Sequence, residues 1–407
     1  MTCISRTLAA VTLIGLLVAV GAGSAFAATH YYVVGNNNAF PTNSLSIYEV
    51  SGTALVSVST VNTGGEGAGG GYFGQVRQSI TRDGSSTCVF AGDEDSGDVA
   101  ALKVISSKPY LALVSDYFSP DGDAGSSDGI GITVSGSYLY ANYTGNGANI
   151  APSIGVWQIG SGCTLTFVTH ITGTTGLNGG EIDGMAATPN GKYLVVAYGD
   201  GSVGSYAIGG GNISLINQET ISGSGVGAGA SAGSVAISSN GQWAIFGDFS
   251  LSNNTQLDVA NIGSNGALAP TTTYGGTGSL GDGIDSNGIA LSPDNRFIYV
   301  ADSYSGQETT VAFDATTGVI TYPNPCLTSL HGYNTNWTYV SQVATAANSG
   351  SGGGLYMSEG FLSTGSTDSY IALLQVDSTT GCAVEAPHSP FIDPNGDALE
   401  SITSYSH

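Results

Sequence analysis

Residues 288–301 read GIALSPDNRFIYVA, which is a short apolar segment, a turn of Ser, Pro, Asp and Asn, and a second apolar segment ending in a small residue. The same pattern returns as GMAATPNGKYLVVA at residues 184–197 and as SVAISSNGQWAIFG at residues 234–247. Two apolar runs joined by a turn of this composition predict a β-hairpin. One hairpin therefore recurs along the chain, and this recurrence decides the fold.

The small residue that ends the second run marks seven copies of the unit. The markers are Gly35, Ala91, Ala141, Ala197, Gly247, Ala301 and Ser358, and they are 50 to 57 residues apart. A polar loop after each marker leads to a third strand, as at residues 202–208 and 309–314, and a Gly-rich turn leads to a fourth. This spacing is typical of propeller blades. We predict an all-β fold, a seven-bladed β-propeller of four-stranded antiparallel blades.

The two ends of the chain predict how the ring closes. Residues 31–35 match the second strand of the unit, so the first blade lacks its inner strand at the N-terminus. Residues 398–404 form one more strand after the seventh unit. Pairing of this C-terminal strand with the N-terminal strands would complete the first blade and leave no unpaired inner edge.

The N-terminal residues predict export. Arg6 is followed by an apolar run over residues 8–20 and by small residues that end at Ala27, the pattern of a secretory signal peptide. We therefore expect residues 1–27 to be removed and residues 28–407 to form a single propeller domain in the periplasm or outside the cell. No later stretch has the uninterrupted apolar length that a membrane span needs. We also expect the protein to be a monomer.

The charge balance excludes one class of partner. The chain has 7 Lys+Arg and 30 Asp+Glu, so removal of Arg6 with the signal peptide leaves 6 − 30 = −24. Nucleic acid is excluded because its binding needs clustered Lys and Arg. An acidic surface keeps an exported protein soluble and attracts cations.

Four cysteines remain after export, and an oxidising compartment permits two disulfides among them. Cys88 with Cys163 and Cys326 with Cys382 is the favoured pairing, because each pair falls in neighbouring repeats. Buried free thiols are the alternative.

The repeat resembles the lactonase-like propeller family, also described by its YVTN-type repeat. The resemblance rests on LSPDNRFIYVAD at residues 291–302, TPNGKY at residues 188–193 and FDATTG at residues 313–318, and it covers nearly the whole mature chain in weaker form. It implies a seven-bladed propeller. The family includes enzymes that open a sugar lactone or cyclise an unsaturated diacid.

Carboxylates precede several predicted inner strands. Asp128, Asp183 and Asp285 each stand five residues ahead of an equivalent position of the repeat, namely Thr133, Thr188 and Ala290. Asp397 has a similar place before the closing strand, and Glu181 lies close to Asp183 in the sequence. We expect these side chains to converge at one mouth of the central channel, where they would raise one another's pKa values or hold a cation. The alternative is that Asp before Gly only forms turns.

Further candidates are less specific. Asp121, Asp123 and Asp128 are candidate Ca²⁺ ligands, so Ca²⁺ is the one cofactor that the sequence suggests. Asp93, Glu94 and Asp95 with Asp98 form a second candidate Ca²⁺ loop, and for both loops a solvated acidic loop is the favoured interpretation. Arg77 and Trp337 precede inner strands and are candidate ligand contacts.

Two functions stay open. The first is a binding module that takes a small molecule, a glycan or a protein through its loop face and central channel. The second is a hydrolase that opens a non-phosphorylated lactone with the axial carboxylates. A phosphorylated lactone is disfavoured, because Lys192 and Arg296 lie in turns at the opposite end of their strands and leave no basic cluster. The scarcity of basic residues favours the binding module.

Overall fold

The computed structural model describes residues 30–67, 69, 79–85, 87–118, 130–143, 151–221, 230–250, 256–275, 286–302, 307–330, 338–346, 354–361, 369–377, 379–393, 399 and 401–406. These residues form seven antiparallel sheets arranged as the blades of a ring. The seven-bladed propeller predicted from the repeat is confirmed.

Each blade is a meander of four strands. The inner strands of blades 2 to 7 are β4 (Ile80–Arg82), β8 (Ile132–Ser135), β12 (Ile182–Ala187), β16 (Ala230–Ile237), β20 (Ser286–Leu291) and β24 (Thr338–Ala346), and the inner strand of blade 1 is β29 (Ser401–Ser406). The second strands are β1 (Tyr31–Asn36), β5 (Cys88–Asp93), β9 (Tyr138–Tyr143), β13 (Tyr193–Tyr198), β17 (Trp243–Ser250), β21 (Phe297–Asp302) and β25 (Gly354–Phe361).

The outer two strands are given from blade 1 to blade 7, as the second strands are. The third strands are β2 (Ser44–Ser51), β6 (Asp98–Val104), β10 (Ser153–Ile159), β14 (Ser202–Gly209), β18 (Gln256–Asn261), β22 (Gln307–Asp314) and β26 (Ser369–Val376). The fourth strands are β3 (Ala54–Asn62), β7 (Leu111–Phe118), β11 (Leu165–Thr172), β15 (Asn212–Thr220), β19 (Thr272–Gly275), β23 (Val319–Ser329) and β27 (Ala383–Glu385), and blade 7 adds β28 (Phe391–Asp393) beside β26. Within the described ranges the one helical segment is the 3-10 turn Ser161–Cys163.

The C-terminal strand completes blade 1, as predicted. β29 pairs with β1 in antiparallel register, with Ser401 opposite Asn36 and Ser406 opposite Tyr31. Each inner strand then contacts the inner strands of both neighbouring blades, including β29 with β4 and β24 with β29. The ring is therefore closed, and the strand begins three residues later than the predicted residue 398.

The hydrophobic core lies between blades. Each of the seven hydrophobic clusters joins residues from two adjacent blades, as Val34 of blade 1 and Val89 of blade 2 do. Second strands are buried on both sides and so read as continuous apolar runs, whereas the fourth strand β3 is half exposed. Within the described ranges no helix has the length and apolar character needed to cross a membrane.

Candidate functional site: the connector face

The meander gives the ring two different faces. One end of every blade carries the connector that enters the inner strand and the turn between the second and third strands; we call it the connector face. The other end carries the turns between the first and second strands and between the third and fourth; we call it the hairpin face. Ligand sites of repeat rings are built from loops of this kind, because a rigid scaffold positions them.

The described Lys and Arg residues are confined to the hairpin face. They lie in hairpin-face turns or in the strand residues beside them, namely Arg82, Lys103, Lys108, Lys192 and Arg296. Arg296 lies over the ring of Phe297 and pairs with Asp294 at 2.6 Å. The basic side chains therefore leave the connector face without a described Lys or Arg.

Carboxylates of the connector face come from several blades. They lie in its connectors and turns or in strand residues beside them, namely Glu66, Asp93, Glu94, Asp95, Asp98, Glu181, Asp183, Asp200, Glu308 and Asp393. Some of them are completely buried and others reach solvent: Asp93 and Glu308 are 0% exposed, whereas Glu66 and Glu181 are partly exposed. The connector face therefore has a negative field with no described Lys or Arg to offset it.

Two of the predicted mouth residues belong to the described part, Glu181 and Asp183. Asp183 falls at a register shift between β12 and β13, where a β-bulge redirects the side chain. Its carboxylate is buried and lies against Gly199, the backbone N–H of which donates to the carbonyl of Glu181 at 2.8 Å. The side chain of Glu181 is partly exposed on the connector face. The structure thus brings these two carboxylates to one edge of blade 4, with Asp183 enclosed by protein.

The remaining predicted site residues lie outside the described residues. They are Asp128, Asp285, Asp397, Arg77 and Trp337, and the candidate Ca²⁺ ligands Asp121 and Asp123. Their convergence at the channel mouth stays a prediction. In the part of the chain that the structure describes, no group of three metal-ligating side chains is assembled.

Asp200 shows how a connector is fixed to the blade that it enters. This residue lies in the turn between β13 and β14, and its Oδ2 accepts hydrogen bonds from the N–H groups of Asn178 and Gly180 in the preceding connector. Oδ1 accepts from the hydroxyl of Ser202 at 2.5 Å. Burial raises the pKa of Asp200, but these hydrogen bonds outweigh burial and leave the pKa below its usual value. Asp200 is therefore an ionised, structural carboxylate.

Asp258 is the opposite case. It lies on β18 with 0% exposure, and its Oδ1 accepts a 2.5 Å hydrogen bond from the hydroxyl of Thr273. Burial raises its pKa to about 6, and the hydrogen bonds from Thr273 and Thr271 offset only part of that effect. Nothing in the sequence pattern distinguishes Asp258 from an exposed strand residue.

The acidic turn of blade 2 corrects the sequence interpretation. Asp93 and Asp98, expected in a solvated loop, are both 0% exposed, and Glu94 is 1% exposed. The connector of blade 1 covers them, with Gly65 packed so closely that a Cβ there would overlap both aspartates. Burial arises from a segment about 30 residues away in the chain, so the local composition of the turn does not reveal it.

The Cys88–Cys163 disulfide and one cavity lie on the hairpin face, and the second disulfide joins β23 to the hairpin-face turn before β27. Cys88 is bonded to Cys163 and Cys326 to Cys382, with Cα separations of 5.5 and 5.3 Å, which is the pairing that the sequence favours. A cavity of about 240 Å³ opens between the turns of blades 4 and 5, and Lys192, Tyr193 and Gln242 are among its lining residues.

Comparison with solved structures identifies the same fold. A provisionally named 6-phosphogluconolactonase from Bacteroides fragilis is similar over 94% of this chain and 99% of its own, with a TM-score of 0.66 and 15% identity. A second protein of that provisional name, from Bacteroides uniformis, is similar over 93% of this chain and 99% of its own, with a TM-score of 0.65 and 13% identity.

A hypothetical selenium-binding protein from Sulfolobus tokodaii is also similar, over 93% of this chain and 92% of its own, with a TM-score of 0.62 and 10% identity. No protein-family model and no curated protein matches the sequence. The chain therefore has the fold of the lactonase-like propellers, as its repeat motif implies.

Proposed function

We propose that the protein is an exported binding module that takes a positively charged ligand on its connector face. One observation carries the proposal: carboxylates of several blades occupy the connector face, whereas the described Lys and Arg lie at the hairpin face. Carboxylates that no described Lys or Arg offsets on one face of a rigid ring attract a cation to that face and orient it on approach.

The same charge distribution argues against an anionic ligand. Phosphate and carboxylate ligands are bound through Arg or Lys, frequently by two parallel hydrogen bonds from a guanidinium group. The described part of the connector face offers neither side chain. The name provisionally given to the Bacteroides proteins refers to a phosphorylated compound, and the phosphate of such a compound would meet no described Lys or Arg on this face.

Isothermal titration of the mature protein at low and high salt tests the proposal. Ca²⁺ and the polyamine spermidine serve as the cations, and inorganic phosphate serves as the anion. We expect at least one cation to bind at millimolar concentration or better, with affinity falling as salt rises, and phosphate not to bind. Failure of both cations to bind at low salt would refute the proposal.

Neutralising variants locate the site. The partly exposed carboxylates of the connector face are removed in the triple variant Glu66→Gln, Asp95→Asn and Glu181→Gln. We expect this variant to lose at least about tenfold in affinity, because one charge contact at a surface contributes about 0.5 kcal/mol and three act together. The matched control is Asp314→Asn, which removes a carboxylate from the hairpin face and should leave the affinity unchanged.

Opening of an uncharged lactone is the second candidate, and the likeness to proteins named as lactonases favours it. A carboxylate at the channel mouth would act as a general base that takes a proton from the attacking water. Hydrolysis of gluconolactone above its spontaneous rate would support this candidate. Asp128→Asn, Asp183→Asn and Asp285→Asn should each then be compared with the parent, and an unchanged rate in all three would exclude the axial carboxylates as the base.

A further inference from the structure

Two buried aspartates face each other at the base of the connector-face turn of blade 2. Asp93 is the last residue of β5 and Asp98 the first of β6, and the two are direct partners in the strand register. Both are 0% exposed, so the two carboxyl groups are buried side by side on neighbouring strands. Two buried carboxylates in this position repel each other unless one of them is protonated and donates a hydrogen bond to the other.

Neutral side chains donate hydrogen bonds to one oxygen of each carboxyl group in this pair. Oδ1 of Asp93 accepts hydrogen bonds from the amide of Asn43 at 2.6 Å and from the hydroxyl of Thr63 at 2.8 Å. The hydroxyl of Ser96 donates to Oδ1 of Asp98. The second oxygen of each aspartate has no such donor among the described residues. These two oxygens are the ones left for the shared proton.

The pair lies under the connector that leaves blade 1. Gly65 packs directly on it, and a Cβ on Gly65 would stand 2.5 Å from Oδ1 of Asp98 and 2.6 Å from Oδ2 of Asp93. The N–H of Glu66 donates to the hydroxyl of Ser96 at 2.8 Å, and the carbonyl of Glu66 accepts from the N–H of Asp95 at 3.0 Å. Connector and turn are thus bonded around the two carboxyl groups.

The charged groups around the pair are all acidic in the described part of the chain. The turn itself contributes Glu94 and Asp95, the connector contributes Glu66, and the neighbouring strand β7 contributes Asp116. Loop 37–43 contributes no titratable group, and Lys103 lies at the hairpin end of β6, about 16 Å along the strand. No described cation offsets a second negative charge at this site.

We propose that Asp93 and Asp98 share one proton, and that this proton holds the connector of blade 1 on blade 2 and is released as the pH rises. The proposal is independent of whether the connector face binds a ligand. It makes the contact between the connector of blade 1 and blade 2 sensitive to alkaline conditions.

The direction of the pH dependence follows from the two titrations. Burial raises the pKa of Asp93 well above its usual value, and the charge of Asp98 adds to this rise. Burial also raises the pKa of Asp98. Hydrogen bonding to Ser96 and Asp93 opposes the rise in the pKa of Asp98, and the charge of Asp116 adds to it. A raised folded-state pKa gives stability that is complete below the unfolded-state value and is lost as pH rises through the folded-state value. The pair therefore stabilises the fold most in acid.

Thermal unfolding of the mature protein between pH 4.5 and 8 tests the proposal. Asp98→Asn replaces the shared proton by a permanent amide donor and should flatten the pH dependence of Tm. At pH 8 we expect its Tm to be a few degrees Celsius above that of the parent, because the parent has then lost the shared proton. Asp95→Asn, which removes one partly exposed charge from the same turn, is the control for general charge repulsion and should keep the parental slope.

A second measurement needs no variant. The infrared spectrum of the parent at pH 7 should contain the band of a protonated carboxyl group, and this band should disappear in Asp93→Asn. Absence of the band at pH 7 would overturn the proposal, as would equal pH slopes for Asp98→Asn and Asp95→Asn. A rise of the parental Tm on addition of Ca²⁺ that Asp98→Asn abolishes would overturn it too, because the pair would then hold a cation in place of the proton.

Discussion

Trp243, the first residue of the second strand of blade 5, lies directly against Gly318 in a hairpin of blade 6. Its Nε1 donates a 3.1 Å hydrogen bond to the carbonyl of Ala315 in the same hairpin. Gly318 has a φ of 74°, and a Cβ on it would overlap the indole ring. One ring thus joins two blades through both packing and a hydrogen bond.

The same contact recurs around the hairpin face. Aromatic residues that begin second strands lie against positive-φ glycines in the hairpin of the next blade, in the pairs Tyr138 with Gly211, Tyr193 with Gly266 and Phe297 with Gly381. Between blades 2 and 3 the corresponding strand begins with Cys88, and its partner Cys163 also has a positive φ, 69°. The disulfide therefore occupies the place of an aromatic–glycine contact.

Gly318→Ala should destabilise the protein by about 2–4 kcal/mol. The methyl group adds overlap with Trp243 to the cost of a non-glycine residue at positive φ. Gly52→Ala is the matched control, because Gly52 has a φ of 63° in the equivalent hairpin of blade 1 with no atom within 4 Å of its Cβ position. We expect about 1 kcal/mol there. Urea unfolding of both variants separates the two contributions, and equal losses would mean that the Trp243 contact adds nothing.

Loss of the Cys88–Cys163 disulfide should cost about 4 kcal/mol, because the bond closes a loop of 75 residues in the unfolded chain. Cys88→Ala with Cys163→Ala measures this loss in urea unfolding under non-reducing conditions. The variant Cys88→Tyr with Cys163→Gly should recover part of it, since it restores the aromatic–glycine pair of the other blades. A tyrosine variant no more stable than the alanine variant would show that the two contacts are not equivalent.

Removal of residues 398–407 should abolish cooperative folding. The deletion takes away all of β29, so β1 loses its inner partner and the contact between β29 and β4 is lost. The N–H of Ile80 also loses its 3.2 Å hydrogen bond to the hydroxyl of Ser401. Calorimetry of the truncated chain, beside a control that lacks only residue 407, gives the measurement. A truncated protein that melts with the parental Tm and enthalpy would disprove closure by this strand.

Fold and site differ in how far the sequence predicts them. Blade number, ring closure and cysteine pairing follow from the repeat. Turns and apolar runs are local features of the sequence, and their recurrence every 50 to 57 residues shows how many blades there are. Burial of individual carboxylates does not follow. Asp93 and Asp98 look like a solvated turn until Gly65 of the preceding blade covers them, and Asp183 is redirected by a bulge. The burial and orientation of these carboxylates depend on contacts between segments that are distant in the sequence, and the local composition does not predict such contacts.

Asp258 makes a further prediction about acid stability. Its pKa of about 6 is above the unfolded value, so it stabilises the fold fully below about pH 4, and this contribution is lost as the pH rises through about 6. A shift of about two units corresponds to about 3 kcal/mol between acidic and neutral solution. Asp258→Asn keeps the shape and removes the titration, so its urea-unfolding free energy should fall less than that of the parent between pH 4.5 and 7.5. If both proteins lose the same stability over that range, Asp258 is already ionised in the folded protein at acidic pH, and the hydrogen bonds from Thr273 and Thr271 outweigh its burial.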